Sequence, residues 1–135
     1  VSIASMGGVD VSVNHIEGHG FYHELVALSG DRGIKLQPAP ITFTKRIDDT
    51  TPRLMQAWAQ GQAIDAAFKF FERHPDDGSV RLLQVYVIQQ GAIAAVRTEM
   101  MSNLHTDGAN APVLERITLT YRSFRVDHVP SSQTW

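Results

Sequence analysis

The chain has 135 residues, 12 Lys and Arg against 14 Asp and Glu for a formal net charge of −2, 43% hydrophobic and 19% charged residues, and no cysteine. That length fits one domain with its own core, and the balance is globular rather than disordered. Disulfides and thiolate chemistry are excluded, and a charge this small gives no general pull toward nucleic acid or an anionic membrane.

Residues 1–8 lack both the basic region and the long apolar region of a signal peptide and read as a flexible N-terminal extension. No stretch approaches the roughly 18 apolar residues of a membrane helix, so no membrane insertion is expected. Val9, Val11 and Val13 alternate with polar residues and predict a first strand, which Gly18-His19-Gly20 breaks. Residues 21–29 read as a second strand with two largely apolar faces, expected to be covered on both sides. Residues 30–40 read as an extended loop, because Pro38 and Pro40 cannot donate to a sheet ladder. Residues 41–47 form a third strand with Ile41, Phe43, Lys45 and Ile47 on one face.

A short helix is expected at about 51–61. Thr50 or Thr51 can cap it, Pro52 suits its first turn, and Gly61 suits the left-handed position that ends it. Leu54, Ala57 and Trp58 fall on one apolar stripe. Trp58 is read first as fastening the helix to the body of the protein, with a subunit anchor as the rival, since aromatics are enriched at interface hot spots. If Trp58 is core, its loss to alanine costs about 3–5 kcal/mol.

Residues 63–73 read as an apolar strand, and His74-Pro-Asp-Asp-Gly78 as the turn into the next strand, 80–89. Gly91 interrupts, and residues 92–98 read as a further strand. Residues 103–112 form a polar loop. Residues 113–129 read as one long strand whose apolar phase shifts between Tyr121 and Phe124, as a bulge near Arg122-Ser123 would produce. The sum is a mainly β fold: a small barrel of two packed sheets, six to seven strands, with one flanking helix. The single domain spans 9–130, and 131–135 is a C-terminal tail.

The segment Ile41-Thr-Phe-Thr-Lys45-Arg-Ile47-Asp48-Asp-Thr-Thr-Pro52-Arg-Leu54, with Gly61 after it, resembles the Hcp family, the tube proteins of bacterial type VI secretion. Val113-Leu-Glu115-Arg-Ile117-Thr-Leu119-Thr-Tyr121 resembles that family's late strand, residues 85–93 sit where it has two adjoining strands, and Ile16-Glu17-Gly18 resembles its Ile-Lys-Gly. The match spans roughly 9–130. It departs from the family where the next segment is shortened to His19-Gly20 and where Leu28-Ser-Gly-Asp31 replaces an aromatic-rich strand end.

The resemblance implies a helix-flanked barrel that assembles into hexameric rings. The rings stack into a tube and hold secreted effectors in their lumen. It implies self-association, sheath, spike and effector partners, no cofactor, and a path from the bacterial cytoplasm out through the secretion apparatus without a signal peptide. By the same analogy Ser29 is a lumen contact, and Asp31, Arg32, Lys35, Gln37 and Pro38 are ring–ring or subunit contacts. The rivals are a monomeric or low-oligomer barrel that binds a ligand, and a contractile-phage tail-tube protein.

Other constellations carry less. His15, His19 and His23 are equally spaced and can hold a metal on one unbroken strand, but Gly18 and Gly20 break it. A metal-assisted enzyme built on them requires that metal first. No Gly-x-Ser-x-Gly elbow, P-loop or GxGxxG is present, so no enzyme is expected. Arg116, Arg122 and Arg125 lack the basic surroundings of a nucleic-acid site.

Overall fold

The computed structural model of the chain describes residues 2–5, 16–30, 33–100 and 113–135. The strands are β1 (Ser2–Ser5), β2 (Ile16–Glu17), β3 (Gly20–Tyr22), β4 (Leu25–Gly30), β5 (Gly33–Pro38), β6 (Ile41–Arg46), β7 (Ile64–Arg73), β8 (Val80–Glu99), β9 (Leu114–Thr120), β10 (Ser123–His128) and β11 (Gln133–Thr134). One helix, α1 (Thr51–Ala59), sits between β6 and β7. The strands expected at 9–14 and the loop at 103–112 lie outside the described residues.

One sheet runs β2-β1-β7-β8-β9-β6-β3, with β10 on β8 and β11 on β10. Its two ends meet because β2 and β3 are one stretch of chain: Ile16 pairs with Ile3 of β1, and Phe21 pairs with Phe43 of β6. Curling a sheet until its ends share a segment covers most edge donors and acceptors. Ile41, Phe43, Phe68, Ile88, Ile117 and Leu119 fill the interior from alternate strand positions. Phe21 stacks edge-on to Phe68 and Phe70 at 5.1 and 5.0 Å, which ties the short β3 into the same core.

The longest strand makes the corner between the two halves. β8 pairs with β7 and β10 over its first half and with β9 over its second. Between the halves, Gln90 has a φ of 53° and its N–H bonds the Asp65 carboxylate at 2.9 Å. A Cβ on Gly91 would lie 2.4 Å from the Thr120 carbonyl oxygen, so only glycine fits. The phase shift expected to be a bulge at Arg122-Ser123 is this same corner. Ser123 pairs with Gln89 and Thr120 with Ala92, so no residue is inserted and both strands turn together.

Three expectations change. Residues 2–5, read as an extension, pair with β7, and residues 133–134, read as a tail, pair with β10; backbone pairing recruits both without strong side-chain periodicity. The predicted second strand divides at His23-Glu24 into β3 and β4, and among the described residues Leu25, Ala27 and Ser29 of β4 are exposed. The predicted loop at 30–40 contains β5, paired with β4 from Leu25 opposite Pro38 to Gly30 opposite Gly33. Pro38 is tolerated because it ends a strand that has β4 alone as a neighbour among the described strands. These additions take the strands among the described residues to eleven without altering the mainly β barrel with one flanking helix.

Candidate functional site

Three features stand out, the first being the joint beneath α1. Lys45 on β6 and Glu115 on β9 are directly paired across the strands and have no exposed surface. Lys45 Nζ lies 2.7 Å from Glu115 Oε2 and donates to Asp48 Oδ1 and the Arg46 carbonyl at 2.9 Å each. The Thr51 hydroxyl donates to Glu115 Oε2 at 2.9 Å, which pulls the first turn of α1 onto the sheet. Asp48 in turn accepts the Thr50 N–H at 2.9 Å. Burial pushes the Asp48 carboxyl up, but the bonds from Thr50 and Lys45 outweigh it and hold it below its ordinary 3.8. Asp48 thus holds the residue that precedes the first turn, and Thr50 makes no side-chain cap bond. Glu115 Oε1 is buried without a partner.

The pair was missed in the sequence, although a lysine in phase with Ile41 and Phe43 was a usable signal. A charge on an apolar strand face needs a counter-charge nearby. It joins the two motifs, around Lys45 and around Glu115, on which the family resemblance rests.

The second feature is a groove beside the helix. Leu54 and Ala57 face the core, whereas Trp58 is 54% exposed. Trp58 is therefore not a core residue: a helix this short buries one narrow stripe, and Trp58 sits at its rim. With Met55, Ala59, Ala94, Ala95 and Val96 it lines an open cavity of about 700 Å³ between α1 and β8. Residues 92–99 of β8 pair with β9 alone among the described strands, so no described strand occupies their second edge. Gly61, with φ +60°, ends the helix and returns the chain to β7.

The third feature is the β4–β5 hairpin, a two-stranded sheet bonded to no other described strand. Leu25 and Ile34 on it are 60% and 74% exposed. Ser29 is exposed and pairs with Ile34; Lys35, Gln37 and Pro38 fall on β5 opposite Leu28, Val26 and Leu25. Asp31 and Arg32 lie outside the described residues. At the hairpin's base the Ala39 N–H donates to the Glu24 carbonyl at 3.0 Å. The Tyr121 hydroxyl donates to the Ala39 carbonyl at 2.8 Å and lies 2.7 Å from His23 Nε2.

Two of the three histidines fall within the described residues, and each has a partner of its own. His15 is outside the described residues, His19 lies 3.8 Å from Glu17, and His23 is engaged by Tyr121. Among the described residues no three His, Cys, Asp or Glu side chains are placed to share a metal ion. No described helix is long and apolar enough to cross a membrane.

These features define a small β-barrel protein with one flanking helix and a projecting ribbon. The family described as type VI secretion system effector, Hcp, matches residues 13–128. The chain belongs to this Hcp family of type VI secretion proteins.

Solved structures share the fold. A mutant Hcp1 protein from the E. coli EAEC 042 pathovar is similar with a TM-score of 0.79 and 22% identity, over 94% of this chain and 84% of that one. The secreted protein Hcp3 from Pseudomonas aeruginosa gives 0.72 and 20%, over 89% and 72%. A type VI secretion system effector from Yersinia pestis gives 0.64 and 16%, over 94% and 87%. At these identities the likeness is one of fold. No curated protein matches the chain.

Proposed function

We propose that the chain is a structural, non-enzymatic subunit of a type VI secretion tube, assembling as hexameric rings that stack and carry effectors in their lumen. The observation that carries this is the β4–β5 hairpin. A lone two-stranded ribbon is marginal in water, and this one leaves Leu25 and Ile34 bare. It is stable where a neighbouring copy covers it. The apolar groove around Trp58 and the edge of β8 that no described strand pairs supply a second, dissimilar surface on the same chain. Two unlike surfaces that meet head to tail generate a ring when the rotation closes.

In this reading Asp31, Arg32, Lys35, Gln37 and Pro38 contact the adjoining ring or subunit, and the exposed Ser29 faces the lumen. Sheath, spike and effector proteins are the other partners, and the protein leaves the cell through the secretion apparatus.

Light scattering after size exclusion, with negative-stain imaging, tests the proposal. Six-subunit rings are expected for the wild type, and Leu25→Asp with Ile34→Asp is expected to give a folded monomer. A strict monomer at high concentration, with a small molecule co-purifying in the groove, would instead identify a ligand-binding barrel.

A further inference from the structure

The β4–β5 ribbon joins the barrel through two chain crossings, residues 23–24 going out and 39–40 coming back. Its own pairing, from Leu25 opposite Pro38 to Gly30 opposite Gly33, makes it one unit but does not aim it. Among the described residues it pairs with no strand of the barrel. Its direction therefore depends on how the crossings are held.

The returning crossing is stiff by sequence. Pro38 and Pro40 fix their own φ, and Pro40 confines Ala39 to extended backbone. One grip on so stiff a segment sets the course of the strand before it. That grip is the Tyr121 hydroxyl, which donates to the Ala39 carbonyl at 2.8 Å. The same phenol holds the outgoing crossing. It has one proton, so the 2.7 Å contact with His23 runs the other way, with Nε2–H donating to the phenol oxygen. The His23 ring also stands edge-on to Phe124, Tyr86 and Tyr121, at centroid distances of 5.0, 5.6 and 5.8 Å. The Ala39 N–H closes the base on the Glu24 carbonyl at 3.0 Å.

We infer that Tyr121 is a positioning residue whose hydroxyl bridges the two crossings and fixes the direction in which the β4–β5 ribbon leaves the barrel. The brace acts within one subunit and stands whether or not rings form. Its consequence for assembly rests on the proposed function: a ribbon already aimed loses less freedom on docking, so copies meet at lower concentration.

Pulsed electron–electron distance measurements test it. The chain has no cysteine, so Ser29→Cys on the ribbon and Arg116→Cys on β9 take spin labels at those two exposed sites alone. Labelled chain is diluted into unlabelled chain and kept monomeric, by concentration or by Leu25→Asp with Ile34→Asp. One narrow distance distribution is expected. Tyr121→Phe should lose that narrow peak to a broad one, while a pair within the barrel, Arg73→Cys with Arg116→Cys, stays narrow. A ribbon–barrel distribution that remains narrow in folded Tyr121→Phe overturns the inference. So does a broad one with Tyr121 intact, or a neutral His23 protonated at Nδ1 in imidazole nitrogen NMR; these two readings decide the matter even if the variant fails to fold. Light scattering keeps the brace and the proposed function apart. Tyr121→Phe should need roughly tenfold more protein to form rings. A wild type that forms no rings fails the proposed function, and the distance distributions then still decide the brace.

Discussion

At the joint beneath α1, β6 lies between β3 and β9, and its one lysine is withdrawn from water onto a glutamate equally buried. In the β4–β5 hairpin, two strands pair with no other described strand, and Leu25 and Ile34 stand in solvent. The first region is complete within one chain; the second, under the proposed function, is completed when another copy covers it. The difference teaches where each kind of substitution should register. Changes at the joint should appear as lost stability, and changes on the hairpin or groove as lost assembly.

The largest effect is expected at the joint. Lys45→Met leaves Glu115 buried with the Thr51 hydroxyl as its remaining donor. An uncompensated buried charge of this kind costs about 3–5 kcal/mol. Denaturant unfolding of the single variant, and of Lys45→Met with Glu115→Leu, measures it. The double variant should regain most of the loss, because an apolar pair needs no desolvation of charge. If the double variant is no better than the single, the pair's role is geometric rather than electrostatic.

A smaller loss is expected at the corner. Gly91→Ala puts a Cβ against the backbone oxygen of Thr120, which cannot swing aside as a side-chain tip would. The cost should be about 1–3 kcal/mol, read from the thermal midpoint. Hairpin amides should keep their protection relative to the barrel, unless the corner also positions Tyr121.

The smallest effect on stability is expected at Trp58. Half-exposed as it is, Trp58→Ala should cost under about 1 kcal/mol, not the 3–5 kcal/mol of a core tryptophan. Ring formation, followed by light scattering, should fail nonetheless. A variant that loses stability and keeps its rings would return Trp58 to the body of the fold and erase the contrast between the two regions.

Much of the barrel was legible because its signals are local. Alternation marked β6, β7 and β9, the His74 turn marked the β7–β8 hairpin, and Thr-Pro with Gly61 bounded the helix. The candidate surfaces were less so. Pro38 disguised β5 as a loop, since a proline argues against a strand unless that strand has a free side. Trp58 fits an apolar stripe by spacing, but its exposure depends on how far the sheet reaches beneath the helix.

The sequence alone determined a mainly β fold, the position of its helix and the family it resembles. Those follow from periodicity, capping chemistry and motif order, all written within a few residues of one another. Tertiary structure decided that the motifs around Lys45 and Glu115 meet as one buried pair, and that β8 and β9–β10 turn one corner together. It also decided that residues 23–24 and 39–40 are held by a tyrosine roughly a hundred positions away from the first of them. Such contacts join residues far apart in the chain, and a pattern read along the chain carries no record of which distant strand lies opposite.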